Sequence, residues 1–274
     1  MFERVVICTD LSEESDRLVN CVGELKILGM REVVLTHVVD IFGDSESGRD
    51  RHADEAVFEQ QIQVLESRGL KVHIDAPLGY PAFSLDEAAR RFGASLIVVG
   101  SHGKGVFDAP FSGSVSSDLV LLSETPILVT SLKALGDQQA CTLVCRRILD
   151  HILYATDFSK AAERAFSKLE QVVELGAKDI TIVHIQDRER IEREGRGRVE
   201  EYDRRDEKRL AYLRERLRSA GATQASYDLV YGTPADELAM RAESGEFTLI
   251  VMGNRGRGSQ GSFLGGASDR VIRG

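Results

Sequence analysis

The chain has 274 residues, enough for two domains of ordinary size, and its 42% hydrophobic and 29% charged content is that of a globular protein with a buried core. A net charge of -9 and a pI of about 5.3 argue against a nucleic-acid partner. No apolar run approaches the ~18 residues that a membrane helix needs, and Met1-Phe2-Glu3-Arg4 leads straight into an apolar strand instead of a secretory signal, so a cytoplasmic protein without membrane contact is expected.

The first strand is predicted from about Arg4 to Thr9. Ser12 suits an N-cap, and Leu18, Val22, Leu25 and Leu28 then recur at helical steps up to Gly29, a residue fit for the left-handed position after a helix. A strand over Val33 to Val38 follows, then a polar helix over Asp54 to Arg68 and a strand over Val72 to Ala76. Pro81 opens a helix that runs to about Phe92. Leu96 to Val99 reads as a buried strand, followed by a glycine-rich loop, a helix from near Ser114 and a strand over Ile127 to Thr130. Short apolar strands alternating with helices predict an open, doubly wound parallel sheet of the α/β class.

The whole pattern occurs twice. Val5-Val6-Ile7-Cys8-Thr9-Asp10-Leu11-Ser12 recurs as Ile152-Leu153-Tyr154-Ala155-Thr156-Asp157-Phe158-Ser159, a shift of 147 that also carries His37 onto His184. Further on the shift is 153, taking Gly79-Tyr80-Pro81-Ala82 onto Gly232-Thr233-Pro234-Ala235 and Leu96 to Gly100 onto Leu249 to Gly253. The extra residues fall in the charged run Arg188 to Arg218, where Leu210, Leu213 and Leu217 make one apolar stripe on an otherwise solvated helix. Two homologous domains are expected, over residues 1–131 and 148–274, joined by a linker over 132–147. The second copy stops before a counterpart of the fifth strand, so either the chain was cut there or its sheet lacks that edge strand.

In open α/β sheets, ligands sit at the carboxyl ends of the strands, near the switch in strand order. Three features converge there in each copy: Thr9-Asp10 or Thr156-Asp157 after the first strand, Val38 or Ile185 at the end of the second, and the glycine loop after the fourth. In the first copy that loop holds Gly100, His102, Gly103, Gly113, Ser114, Val115 and Ser116; in the second it holds Gly253, Arg255, Gly256, Gly265, Gly266, Ala267 and Ser268. Glycines let a backbone approach a ligand closely, and the free amides and dipole of the helix that follows attract anions.

The spacing Gly100-x2-Gly103-x9-Gly113-Ser114 resembles the nucleotide-binding signature of the ATP-binding universal stress proteins, and the likeness extends over nearly the whole chain as a tandem pair. The resemblance implies two Rossmann-like domains of the adenine nucleotide alpha hydrolase-like type. It implies a bound ATP, ADP or AMP, with Mg²⁺ held through the phosphates. Asp10 would accept from the nucleoside, Val38 would offer its backbone to the base, and Gly103, Gly113, Ser114 and Ser116 would line the phosphates. It further implies a pseudo-dimer of the two domains and homodimer formation, with a regulatory role in stress responses. The second copy departs from the pattern: Gly265-Gly266 stands where Gly113-Ser114 does, one hydroxyl is lost, and Arg255 and Arg257 add two cations.

No general base or nucleophile stands out beside the loop, so slow or no hydrolysis is expected. A weak ATPase and an interaction scaffold without nucleotide are the competing readings. His37 and His184 lie in apolar strands and read as satisfied strand-end histidines. Gly256 to Gly261 spells GxGxxG but follows a fourth strand, against a dinucleotide fingerprint. Cys8, Cys21, Cys141 and Cys145 lack zinc-ligand spacing and read as reduced thiols.

Overall fold

The computed structural model describes residues 1–39, 51–101, 115–130, 145–187, 199–256 and 266–273. The chain divides into two compact units, Met1–Arg146 and Arg147–Gly274. In the first, β1 (Arg4–Cys8), α1 (Glu13–Val22), β2 (Glu32–Thr36), α2 (Arg51–Ser67), β3 (Lys71–Asp75), α3 (Pro81–Phe92), β4 (Leu96–Gly100), α4 (Val115–Leu122) and β5 (Ile127–Thr130) follow in order. The five strands form one parallel sheet in the order β3-β2-β1-β4-β5. The chain winds outward from β1 through β2 and β3, then crosses to β4 and β5, so the strand order switches between β1 and β4.

The second unit repeats this winding with β6 (Ile152–Ala155), α5 (Lys160–Glu174), β7 (Asp179–Gln186), α6 (Val199–Ala220), β8 (Gln224–Tyr231), α7 (Pro234–Glu243), β9 (Leu249–Met252) and α8 (Gly266–Arg273). Its sheet runs β8-β7-β6-β9, all parallel, with the switch between β6 and β9. Among the described residues β9 is its last strand, where the first unit continues into β5. The exposures follow from this: Leu96 to Val99 of β4 are buried, whereas all four residues of β9 are half-buried.

Both sheets are covered on two faces, which is why their central strands are apolar without alternation. Val6, Val34, Ile97 and Val99 pack under Ala82, Leu85, Ala88 and Ala89 of α3 and Leu119 of α4. Leu153, Val183 and Ile185 pack under Leu238 of α7. On the other face Tyr154 is buried against Phe166 of α5, ring edge to ring face at 5.1 Å, and its hydroxyl donates to the Ala162 carbonyl at 2.8 Å. A hydroxyl placed so deep needs that acceptor, and each such aromatic contributes on the order of 2–3 kcal/mol of burial.

Two expectations need correction. The helix after Ser12 is not continuous to Leu28: it is α-helical to Val22 and tightens into a 3-10 segment over Gly23–Leu28. Gly23 is the weak point, since glycine has poor helix propensity and here gives room to the Arg68 side chain, whose Cδ would lie 2.3 Å from an added Cβ. The cysteines are not all thiols either. Cys21 is disulfide-bonded, while Cys8 and Cys145 carry thiols.

Candidate functional site

The corner after β1 is built by its own side chains. Thr9 is buried, and its Oγ1 accepts from the Leu11 amide at 3.1 Å. Asp10 Oδ1 accepts from the Ser12 amide at 3.1 Å and from the Ser12 hydroxyl. Ser12 caps α1 by accepting from Ser15 N at 3.1 Å. These bonds hold Leu11 at φ 56, a left-handed conformation that costs a side-chain-bearing residue roughly 1–2 kcal/mol. At about 1 kcal/mol net each, the side-chain bonds offset that strain.

The second unit makes the same corner. Thr156 Oγ1 accepts from Phe158 N at 3.0 Å, Asp157 Oδ1 from Ser159 N at 2.9 Å, and Ser159 Oγ from Ala162 N at 3.2 Å, with Phe158 at φ 57. In both units the strand-end histidine locks the corner to the neighbouring strand. His37 Nδ1 meets the Thr9 carbonyl at 3.0 Å and His184 Nδ1 meets the Thr156 carbonyl at 2.7 Å, which is the structural role expected of them.

Across the strand-order switch from Asp157 lies the end of β9. Gly253 is pressed against the start of α5, where a Cβ would come within 2.8 Å of Ala162 N. The backbone of Gly256 passes beside the Asp157 carboxylate, so close that a Cβ would sit 3.1 Å from Oδ2. Ser159 Oγ donates to the Arg255 carbonyl at 3.4 Å, and Ser268 Oγ, in the first turn of α8, donates to the Gly253 carbonyl at 3.2 Å. The structure thus brings together Thr156, Asp157, Gly253, Arg255, Gly256 and Ser268. Arg255 is exposed, Gly266 opens α8, and Ala267 packs against the α7 face of the sheet. Ile185 is buried at the end of β7, two residues before that strand's chain leaves the sheet.

In the first unit Gly100 closes β4 opposite Thr130, Val115 opens α4 against the core, Val38 packs against the same core, and Ser116 is buried at 1% exposure. His102, Gly103, Gly113, Ser114 and, in the second unit, Gly265 lie outside the described residues.

The charges under the two corners differ. In the first unit Gln61 of α2 donates to Asp16 Oδ1, and Ser15 Oγ accepts from the Thr9 hydroxyl at 3.0 Å. The Cys8 thiol is pushed up to about 12 by burial and then by the Asp10 charge, so it stays protonated at neutral pH. In the second unit His184 Nε2 stands 3.5 Å from Asp206 Oδ2. Asp206, 3% exposed, also takes Gln186 Nε2 at 3.0 Å, Arg205 Nε at 3.2 Å and Arg209 Nη1 at 3.5 Å. Burial alone pushes its carboxyl upward, but the hydrogen bonds from His184, Arg205 and Gln186 outweigh it and hold the group well below the usual carboxylate range. Arg209 lies over the Phe158 ring at 5.0 Å, and His184 packs on that ring at 4.6 Å. Asp206 and Gln186 were not among the residues expected to matter. A glutamine in an apolar strand, where the first copy has Val39, was the available signal.

Fold and corner together define a tandem α/β protein whose two parallel sheets each end, at the strand-order switch, in a Thr-Asp turn; in the second unit that turn faces a glycine loop. The universal stress protein family profile matches residues 1–131 and 149–274, and the chain belongs to that family. Universal stress protein MJ0577 of Methanocaldococcus jannaschii is 27% identical over 159 residues, spanning 48% of this chain and 97% of that protein. The crystal structure of a universal stress protein from Archaeoglobus fulgidus matches 99% of this chain and 93% of its own at 25% identity, with a TM-score of 0.72. A functionally unknown protein, PA1789 of Pseudomonas aeruginosa, shares the fold across 99% of this chain and 89% of its own, at 14% identity and a TM-score of 0.57.

Proposed function

We propose that this chain binds an adenine nucleotide (ATP, ADP or AMP) at the carboxyl edge of each sheet, as a regulatory module with slow or no hydrolysis. The observation that carries the reading is the Asp157 carboxylate lying against the Gly256 backbone, at the point where the strand order switches. Asp157 accepts from the nucleoside, the Ile185 backbone meets the base, and the amides of the loop after β9 and of the start of α8 hold the phosphates with help from Arg255. Asp10, Val38, Gly103, Gly113, Ser114 and Ser116 take these roles in the first unit. Mg²⁺ would be shared between phosphate oxygens and the corner carboxylate. A handful of charge-assisted hydrogen bonds, at about 1.5–3 kcal/mol each, supports micromolar affinity after the cost of association.

Calorimetric titration of the full chain with ATP, ADP and AMP tests this. Micromolar binding that Asp10→Asn and Asp157→Asn each reduce in stoichiometry is expected, with Mg²⁺-dependent turnover far below about 1 s⁻¹. Absence of heat with all three, together with a purified protein that carries no nucleotide, would overturn it.

A further inference from the structure

At the carboxyl edge of the first sheet, one side-chain bond joins two helices across the molecule. The Tyr80 hydroxyl, at the entrance of α3, donates to Asp118 Oδ2 in the first turn of α4. The tyrosine is firmly mounted. Val39 N donates to the Pro77 carbonyl at 2.9 Å and Gly79 N to the Val39 carbonyl at 3.0 Å, so the chain leading into Tyr80 is bound to the end of the second strand. Pro81 keeps Tyr80 extended, at φ -82 and ψ 124, and the Tyr80 carbonyl accepts from Ser84 N at 3.0 Å as α3 begins. The other end of the bond needs support. A helix of eight residues, such as α4, is marginal by itself, and it rests on α3 through Leu119, which packs with Leu85, Ala88 and Ala89. Apolar contacts of that kind are non-directional. A hydroxyl bound to a carboxylate is directional and stronger than a neutral pair, so it fixes what the apolar contacts leave open, the rotation of α4 about its axis.

The proposed function assigns the Val38 backbone to the base and Ser116, with the start of α4, to the phosphates. The Tyr80–Asp118 bond runs from the one side to the other. We infer that Tyr80 and Asp118 are positioning residues, a tie that holds the first turn of α4 in place for the phosphates of a nucleotide bound to the first unit. The inference rests on the nucleotide reading above and adds to it the device that sets the phosphate helix. The second unit keeps the mount, with Gly232 N donating to the Gln186 carbonyl at 3.0 Å, but has Thr233 where the first has Tyr80. There Ala267 and Val271 pack on the core as Val115 and Leu119 do in the first unit, which puts Arg270 at the position of Asp118. A threonine and an arginine do not reproduce a bond from hydroxyl to carboxylate, so the tie is confined to the first unit.

The test uses the full chain in an Asp157→Asn background that leaves only the first site, with ATP followed by calorimetry and adenosine by NMR titration. Tyr80→Phe and Asp118→Leu are each expected to weaken ATP by about three- to tenfold, while adenosine, which has no phosphate, stays within about twofold. The double variant is expected to weaken ATP no more than either single one, because the two partners of one bond fail together. Asp118→Asn, whose amide oxygen still accepts from the hydroxyl, is expected to lose only about twofold. In an Asp10→Asn background, which leaves only the second site, Tyr80→Phe is expected to have no effect on ATP. Tyr80 is 43% exposed, so loss of its hydroxyl opens no cavity and the variant folds. Losses that add in the double variant overturn the inference, as does equal weakening of ATP and adenosine, the mark of a merely structural bond. So does a Tyr80→Phe chain that binds ATP like its parent, and in that case nucleotide binding stands. Where adenosine binds too weakly to follow, the double-variant comparison decides. Failure of the parent first site to bind ATP overturns this inference together with that half of the proposed function.

Discussion

Under the Thr9–Asp10 corner the first unit places hydroxyls and an amide, Ser15 and Gln61; under the Thr156–Asp157 corner the second places a histidine–aspartate contact and two arginines. Both corners nevertheless keep the same left-handed residue, the same aspartate turn and the same serine cap. The difference teaches that the corner is specified locally by its own three side chains, and that the layer beneath it is free to carry charge or not. What that layer changes is the dependence of each unit on conditions.

The sharpest way to break the comparison is Asp206→Ala. It removes a buried carboxylate from His184 and Gln186 and the counter-ion of the half-exposed Arg205 and Arg209, and should cost the second unit roughly 3 kcal/mol, whereas Gln61→Leu, which loses one hydrogen bond to the Asp16 carboxylate, should cost the first about 1.5 kcal/mol. Hydrogen exchange resolved by unit measures both. Acid sharpens the same contrast. Because the Asp206 carboxyl is held low in the folded state, its contribution is complete above the unfolded value of about 4 and is lost as pH falls through the folded one. Below about pH 4 the second unit should therefore open more steeply than the first, and Asp206→Asn should remove the extra slope in an acid titration followed by exchange or NMR.

Gly253→Ala forces a Cβ against α5 backbone that cannot rotate away, and a loss of about 2 kcal/mol in the second unit is expected by denaturant unfolding. Ser12→Ala and Ser159→Ala should each cost about 1 kcal/mol and by similar amounts, because the caps are the part the two units share; unequal losses would show that the underlying layers reach the helix ends after all. The smallest effect is at Cys8: alkylation of the native chain near pH 8 should be slow there, since its thiol stays protonated up to about 12, and Asp10→Asn should quicken it only slightly.

Most of this architecture was legible in the chain because its signals are local. Repeated apolar strands, serine caps and prolines at the first turn of α3 and α7 fall where the structure has them. The exceptions depend on contacts distant in sequence. The helix after Ser12 changes pitch where Gly23 makes room for Arg68. Asp206 looks like one more charge in a solvated helix, and only the packing of α6 on β7 turns it inward to His184. Nothing in the spacing of the cysteines pointed to a disulfide at Cys21. In the candidate site, the aspartates and strand-end histidines follow from the repeat itself. The bond from Tyr80 to Asp118 emerges only once α3 and α4 are assembled.

The aspartate at each corner serves two masters. One carboxylate oxygen is committed to the chain's own turn, and in the second unit the other leans toward the glycine loop. Under the proposed function such a group meets its ligand already oriented, so binding need not freeze it. The same economy ties recognition to architecture: erasing the side chain loosens the helix entrance along with the grip, and only an amide replacement, which keeps the turn and drops the charge, can tell the two losses apart.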